Sequence, residues 1–233
     1  MSAPVIVTVD GPAGSGKTTL GRRLAQALGL PIIDTGLLYR GVTVAAVRAG
    51  INADDPHRAA TLAARTRIDI NTDPAAPPES WSVNVDGSDA SADARDPRHA
   101  RLLAELSQLP EVRAVLLDRQ REMADGGAVA VGRDCGTVVF PHAPVKFFLE
   151  ASSHLRESRR AEQLRSAGTT VDATAMQAEI SGRDTLDTER AVSPLKRAPD
   201  AHIIDTGSLG IEEMVAEALR ICRQAGLLAG VRE

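Results

Sequence analysis

The fold prediction for this sequence rests mainly on the stretch GPAGSGKTTL, Gly11–Leu20. It follows the apolar run VIVTV, Val5–Val9, and precedes the helical pattern LGRRLAQAL. Glycines let a backbone turn its N–H groups inward around phosphate oxygens, and a helix that begins directly afterwards adds the positive end of its dipole. Lys17 can then reach the β- and γ-phosphates, and the Thr18 hydroxyl can ligate Mg²⁺. The pattern therefore predicts a P-loop that holds a nucleoside triphosphate.

The residues of this loop are our candidates for nucleotide binding. Lys17 is one of only three lysines in the chain, and we expect it to be catalytic as well. Thr18 is the only metal ligand that the pattern predicts. The candidate ATP-binding residues are Gly11, Pro12, Ala13, Gly14, Ser15, Gly16, Lys17, Thr18 and Thr19.

Short apolar runs alternate with helical patterns along the rest of the chain. The further runs are PIID (Pro31–Asp34), AVAV (Ala128–Val131), VKFFL (Val145–Leu149) and HIID (His202–Asp205). Nearly continuous apolar runs are typical of parallel strands that are covered on both faces. Gly29 and Gly50 follow two helical patterns and fit as C-caps. We expect an α/β fold, with a three-layer P-loop architecture and a central parallel sheet of about five strands.

Two segments interrupt this alternation. Residues 67–93 carry short alternating strands, a proline-rich turn and the dipeptide Asp86-Gly87, which is a hairpin signal. The arginine-rich segment 152–197 is typical of helices that lie over a site. We expect a single domain over residues 1–233, with its core at 1–66, 98–151 and 198–233. A small β insert at about 67–97 and a helical lid at about 152–197 complete it.

Composition argues against several classes of partner. The formal net charge is −4 and the aromatic share is 2%, so the chain lacks both the basic field and the stacking platforms of nucleic-acid binders. No apolar run has the length of a membrane span, and the N-terminal residues show no export signal. Cys135 and Cys222 suit free thiols in a reducing compartment. We expect a cytoplasmic protein without nucleic-acid or membrane partners.

Further polar motifs stand at helix starts and strand ends. DTGLLYR, Asp34–Arg40, follows the second strand, and Thr35 fits as a helix N-cap. GRD, Gly132–Asp134, ends a strand at the carboxyl edge, where open α/β sheets bind ligands. Arg113 lies one turn into a helix. Taken singly, these motifs are also typical of a capped helix, a polar turn and a surface arginine.

The segment RDTLDTER, Arg183–Arg190, places charges at helical spacing. Arg183 and Asp187 are four residues apart, and Asp187 and Arg190 are three apart, so all three can share one helix face. A surface ion-pair stripe has the same pattern. In a chain that binds a nucleoside triphosphate, however, this many arginines predict a site for spreading negative charge. No NKxD-like guanine reader is present, and no histidine has a convincing catalytic context.

These motifs, in the same order, resemble those of the bacterial cytidylate kinases. The matching stretches are GPAGSGKT, DTGLLYR, PEVR, GRDCGTVVFPHAPVKFFLEAS, the pair Arg159-Arg160 and RDTLDTERAVSPL. The resemblance covers nearly the whole chain, including the β insert. It implies a single nucleoside monophosphate kinase domain, a monomer, that transfers the γ-phosphoryl group of ATP to CMP or dCMP with Mg²⁺.

The resemblance also implies roles for individual residues. Arg40 and Arg133 would hold the acceptor phosphate, Arg113 and Asp134 would read the cytosine edge, and residues 205–208 would lie by the adenine. The implied substrate-binding residues are Thr35, Arg40, Arg113, Arg133, Asp134, Arg183 and Asp187. The implied catalytic residues, which surround the transferring phosphates, are Lys17, Arg133, Arg159, Arg160 and Arg190.

The chain departs from this family at two positions. Val131 stands where an acid usually supports the water shell of Mg²⁺, and Asp10 or Asp34 is the candidate substitute. Ala104 stands where a serine usually helps to read the cytosine. Two other readings therefore stay open: a P-loop kinase of another small acceptor, and a nucleotide-binding protein with impaired turnover.

Overall fold

The structure is a computed structural model that describes residues 4–166, 182 and 184–228. The strands in this part of the chain are β1 Ile6–Asp10, β2 Ile32–Asp34, β3 Ile68–Asn71, β4 Ser82–Val85, β5 Ser88–Asp89, β6 Ala128–Gly132, β7 Val145–Glu150 and β8 His202–Asp205. The helices are α1 Lys17–Leu28, α2 Thr35–Ala49, α3 Pro56–Arg65, α4 Ser91–Arg95, α5 Ala100–Leu106, α6 Pro110–Glu122, α7 Ser153–Ser166 and α8 Ile211–Gln224. Residues 184–189 are also helical, and Cys135–Val139 forms a π-helical turn.

Five parallel strands form the central sheet, in the order β2-β6-β1-β7-β8. Each apolar run of the sequence lies in one of these strands, so the α/β fold class is confirmed. The register pairs Asp10 with Gly132 and Asp34 with Val131. Because parallel strands end at the same edge, the P-loop and the residues after β2 and β6 are neighbours. This edge carries the candidate site.

One face of the sheet packs against α1 and α8, and the side chains on that face are apolar. They form the main apolar cluster, in which Val7, Val9, Val129 and Phe147 are fully buried. Helix α1 approaches the strands closely at Gly21, where an added Cβ would lie 2.5 Å from Cγ2 of Val131. A second apolar cluster joins α2, α3, α5 and α6. None of the helices in the described ranges is long and apolar enough to cross a membrane.

The insert is a three-stranded antiparallel sheet, in the order β3-β4-β5. Asp86 and Gly87 form its two-residue turn with φ angles of 52° and 79°, so the predicted hairpin is confirmed. Trp81 is buried, and its indole N–H donates to the carbonyl of Asp73 at 2.9 Å. The division of the chain into core, insert and lid stays a prediction.

The helix caps are confirmed at two positions and wrong at one. Gly29 and Gly50 both adopt the left-handed conformation that was predicted for C-caps. The N-cap of α2 is Asp34, not Thr35, because the Asp34 carboxylate accepts the N–H of Gly36 at 3.0 Å. Thr35 is already helical, and its hydroxyl donates to the carbonyl of Val131 at 3.0 Å.

Candidate active site

The P-loop lies between β1 and α1, as predicted. Gly11 has a φ of 149°, and an added Cβ would lie 2.5 Å from the carbonyl oxygen of Leu149. Gly16 is the N-cap of α1 in a left-handed conformation, with a φ of 93°. No side chain caps the helix at this residue, so the first-turn N–H groups face the loop's concavity. This geometry suits an anion.

Lys17 bends back across the loop. Its ammonium donates to the carbonyl of Pro12 at 2.6 Å, and the residue is buried. Inside the loop, the hydroxyl of Ser15 is buried and has no hydrogen-bond partner among the residues that the structure describes. Thr18 lines the adjoining cleft. The loop therefore gathers a cation and hydroxyl groups around one concave surface.

A cleft of about 780 Å³ extends from this loop in two directions. One end is lined by Thr206, Leu209 and Ile211 and therefore adjoins residues 205–208. The other end is lined by Tyr39, Arg40 and Leu103, and Arg40 contacts the insert at Ala94. The sequence-predicted residues that line the cleft are Ala13, Gly14, Gly16, Lys17, Thr18, Thr19, Thr35, Arg40, Arg113, Arg133, Asp134, Arg159, Arg160, Asp187 and Arg190.

A buried ion pair forms the wall at the insert end. Arg113 of α6 pairs with Asp134, which follows β6, and the two side chains are only 7% and 8% exposed. Arg113 also donates to the carbonyl of Ser107 at 3.0 Å, and its guanidinium lies 5.4 Å from the ring centroid of Tyr39. The Nε of Arg113 is buried, and no described residue forms a hydrogen bond with it. The pair presents a donor and an acceptor side by side, which suits the edge of a planar ring.

Lid residues extend this network of charges. Arg133 donates through Nε to the carboxylate of Asp187 at 2.7 Å. Arg190 lies 3.6 Å from carboxylate oxygens of both Asp134 and Asp187. Burial lowers the pKa of Arg190, and the nearby charge of Arg113 acts in the same direction. Two carboxylates thus separate three guanidiniums in one row.

Arg40 and Asp34 lie between the P-loop and the insert. Arg40 donates to the carbonyl of Ala94 at the end of α4, at 2.7 Å. Burial lowers the pKa of Arg40, while the charge of Asp34 opposes the change. Burial also raises the pKa of Asp34, and its bond with Gly36 and the charges of neighbouring cations hold that rise back. Arg40 therefore connects the cleft to the insert.

Two arginines of α7, Arg159 and Arg160, line the cleft together with residues of the P-loop. Arg159 donates to the hydroxyl of Thr206 at 2.9 Å and to its carbonyl at 2.7 Å. The Thr206 hydroxyl in turn donates to the carbonyl of Ser15 at 3.1 Å. Arg160 also lines the cleft and interacts electrostatically with Arg40. Arg183 lies outside the described residues.

Known proteins share these motifs over the full chain. A family model described as "Cytidylate kinase" matches residues 7–224. The chain belongs to the cytidylate kinase family. It is 41% identical to the cytidylate kinase of Pasteurella multocida (strain Pm70) over 225 residues, which covers 96% of this chain and 97% of that one. It is also 41% identical to the cytidylate kinase of Mycobacterium avium (strain 104), over 98% of this chain and 100% of that one.

Some relatives are longer than this chain. The bifunctional pantoate ligase/cytidylate kinase of Synechococcus elongatus (strain ATCC 33912 / PCC 7942 / FACHB-805) is 42% identical over 224 residues. The match covers 95% of this chain but 42% of that protein, so the chain spans less than half of its length. The sequence motifs predicted a cytidylate kinase, and membership of that family is confirmed.

Val131, the first of the two departures that the resemblance implied, belongs to the apolar core. Its side chain is 2% exposed and contacts α1 at Gly21. Of the two acids suggested as substitutes, Asp34 lines the cleft. Asp10 instead accepts the backbone N–H groups of Cys135 at 2.9 Å and Gly136 at 2.7 Å. Within the described ranges, no group of three or more acids, histidines and cysteines could hold a metal ion by itself.

Ala104, the second departure, lines the cleft near Arg113. Its carbonyl accepts the hydroxyl of Ser107 at 2.9 Å and the amide of Gln108 at 3.4 Å. Both of these polar side chains also line the cleft. Polar groups are therefore available beside the methyl group of Ala104, although none of them was singled out in the sequence.

Sequence reasoning missed two more residues of the site. Tyr39 lies against Arg113, and burial raises the pKa of its phenol to about 12. Arg156 donates to the carbonyl of Ala13 in the P-loop at 3.2 Å and pairs with Asp184. A signal for Arg156 was present, since it lies one helical turn before Arg159 and so shares its face.

Proposed function

We propose that this protein transfers the γ-phosphoryl group of ATP to CMP or dCMP and so produces CDP or dCDP. The observation that carries the proposal is the buried pair of Arg113 and Asp134, on the wall of the cleft into which the P-loop opens. A P-loop alone serves many acceptors, whereas a buried donor beside a buried acceptor selects a base edge. Membership of the cytidylate kinase family supports the same assignment.

Cytosine fits this pair by its hydrogen-bonding pattern. Its exocyclic amine is a donor, which the Asp134 carboxylate accepts, and its ring nitrogen and carbonyl are acceptors for a guanidinium. Uracil presents a carbonyl in place of the amine, so the carboxylate faces an acceptor there. A site with buried polar groups rejects such a mismatch strongly, because the unpaired group has already lost its water.

Phosphoryl transfer in this cleft requires positioning and positive charge. The phosphate of CMP is itself the nucleophile, so no general base has to remove a proton. Lys17 exchanges its bond with Pro12 for the phosphates of ATP, and Arg133 exchanges Asp187 for the acceptor phosphate, which Arg40 also holds. Arg190 then neutralises charge that spreads over the transferring group, with Arg159 and Arg160. Preorganised cations of this kind account for most of the rate enhancement in phosphoryl transfer.

Mg²⁺ is part of the proposal. Thr18 lines the cleft at the start of α1 and would supply a hydroxyl ligand, and Asp34 would hold a metal-bound water. Mg²⁺ retains several waters and binds substrate phosphates, so this sparse set of protein oxygens fits it. The ion would neutralise charge on the β- and γ-phosphates.

The remaining parts of the proposal concern the molecule as a whole. The single domain consists of a core, an insert at about 67–97 and a lid at about 152–197, and Arg183 and Asp187 contact the ribose of the acceptor. The enzyme acts as a monomer in the cytoplasm, without nucleic-acid or membrane partners. The net charge of −4 and the free, buried Cys135 and Cys222 support this part.

An acceptor screen tests the proposed function. The protein is incubated with ATP, Mg²⁺ and one of CMP, dCMP, UMP, AMP or shikimate, and ADP release is measured against a control without acceptor. We expect CMP and dCMP to exceed every other acceptor by at least about 10-fold in kcat/KM. A preference for another acceptor would assign a different P-loop kinase. Tight ATP binding without turnover of any acceptor would assign a binding protein.

A further inference from the structure

Asp10 has a contact that none of the roles above explains. It is the last residue of β1 and directly precedes the P-loop at Gly11. Its side chain points away from the aliphatic core of the sheet, on the same face as Thr8, because strand residues alternate. Both residues are buried, with exposures of 4% and 0%. A buried carboxylate at this position needs a partner.

The partners of Asp10 are two successive backbone N–H groups. One carboxylate oxygen accepts from Cys135 at 2.9 Å, and the other accepts from Gly136 at 2.7 Å. These residues begin the π-helical turn that directly follows Asp134. The turn lies so close that a Cβ at Gly136 would be 2.9 Å from the hydroxyl of Thr8. The sequence provides a glycine at the position where this contact requires one.

The rest of the turn has other supports, but its first residues depend on Asp10. Within the turn, the N–H groups of Val138 and Val139 donate to the carbonyl of Asp134, and Arg121 donates to the carbonyls of both valines. The first two N–H groups of the turn donate to the Asp10 carboxylate. Asp10 therefore fixes the position of the backbone directly after Asp134.

Among the described residues, no hydrogen bond or ion pair joins a cation to Asp10. The nearby ammonium of Lys146 donates to the carbonyl of Pro141 at 2.6 Å and to Asp200 at 2.8 Å. Burial raises the pKa of Asp10 to about 6, while the two backbone bonds oppose that rise. Burial of the Asp10 carboxylate therefore costs folding free energy. This cost suits a residue that positions its neighbours rather than one that stabilises the fold.

We propose that Asp10 is a positioning residue that holds Asp134 in register with the P-loop, and this inference rests on the proposed function of Asp134. The P-loop itself has independent supports, since Arg156 and Thr206 donate to the carbonyls of Ala13 and Ser15, respectively. Loss of the Asp10 contact should therefore disturb the acceptor side of the cleft more than the ATP side.

The experiment compares Asp10→Asn and Asp10→Ala with the control Thr8→Val. Asn keeps one acceptor oxygen and turns an NH₂ group toward the second N–H, whereas Ala keeps no acceptor. Thr8→Val changes the same buried layer but removes a hydroxyl that has no hydrogen-bond partner in the described part of the chain. We expect the KM for CMP to rise about 10–100-fold in the Asp10 variants, with Ala above Asn, because a buried donor is left unpaired. The KM for ATP should change by less than about 3-fold, and Thr8→Val should change neither value.

Equal increases in both KM values, or a Thr8→Val protein that matches Asp10→Asn, would overturn the inference. Amide hydrogen exchange of the peptide over residues 134–140 provides a readout that needs no nucleotide. We expect faster exchange at Cys135 and Gly136 in Asp10→Asn, with wild-type exchange in Thr8→Val. Unchanged exchange in a folded Asp10→Asn protein also overturns the inference. A wild-type protein that phosphorylates neither CMP nor dCMP overturns the proposed function instead.

Discussion

Replacement of Asp134 by asparagine should change which base the cleft prefers. The side chain keeps its shape and one oxygen, which can still accept from Arg113. Because Arg113 orients that oxygen, the new NH₂ group points toward the base. It then faces the amine of cytosine, donor against donor, but it can donate to the carbonyl of uracil. The change therefore reverses the hydrogen-bonding match without opening a cavity.

The magnitude follows from the burial of the pair. Asp134 and Arg113 are 8% and 7% exposed, so a mismatched group there is not compensated by water. An unpaired buried group costs about 1–3 kcal/mol, which predicts a fall of about 10–100-fold in the ratio of kcat/KM for CMP to that for UMP. The variant should also be less stable, because Arg113 and Arg190 lose the negative charge between them.

The assay measures initial rates with both acceptors at saturating ATP, together with urea unfolding. Asp200→Asn is the matched control, since it removes the carboxylate partner of buried Lys146 outside the cleft. It should lower stability and leave the acceptor ratio unchanged. If Asp134→Asn lowers the rates with CMP and UMP by the same factor, Asp134 does not read the base, and the reasoning is refuted.

The remaining predictions concern the P-loop, the apolar departure and pH. Lys17→Ala should reduce kcat about 10²–10³-fold with an unchanged melting temperature, and near-normal turnover would contradict the P-loop assignment. Val131→Glu should lower the Mg²⁺ concentration for half-maximal rate by about 10-fold, with a loss of stability because Val131 is buried; an unmoved titration of a folded variant would show that another acid serves. Burial raises the pKa of Asp10 from 3.8 in the unfolded chain to about 6 in the folded protein. Between these two pH values, the folded protein therefore holds a proton that the unfolded chain has lost. Wild type should therefore lose about 1 kcal/mol of unfolding free energy between pH 5 and pH 7 relative to Asp10→Asn, and a pH-independent difference would contradict the raised pKa.

The fold could be predicted because local patterns and tertiary structure agree along most of the core. The apolar run before Gly11 becomes a central strand, and the glycine-rich stretch after it can adopt positive φ angles. Asp86 and Gly87 form the predicted two-residue turn because their conformation is local. The N-cap of α2 could not be predicted from local sequence, because Asp34 and Thr35 can both cap a helix. In the structure the Thr35 hydroxyl donates to the carbonyl of Val131, and Asp34 is the N-cap.

The candidate site was predicted only in part, because its decisive contacts join residues that are distant in the chain. The arginines were recognisable as a set, yet the ion pair of Arg113 with Asp134 depends on how α6 packs beside β6. Asp10 illustrates the same limit. Its position before the P-loop suggested a metal-supporting acid, whereas its oxygens accept from residues 125 and 126 positions further along the chain.

We propose that one cleft binds ATP and CMP and transfers a phosphoryl group between them. Phosphorus NMR can follow a mixture of ATP, CMP and Mg²⁺ with the protein in catalytic amount, because the monophosphate, the β-phosphate of ATP and inorganic phosphate have separate resonances. We expect the signals of CMP and of the ATP β-phosphate to decrease together while nucleoside diphosphate signals grow, without inorganic phosphate. Inorganic phosphate in place of CDP, or an unchanged spectrum, would contradict it.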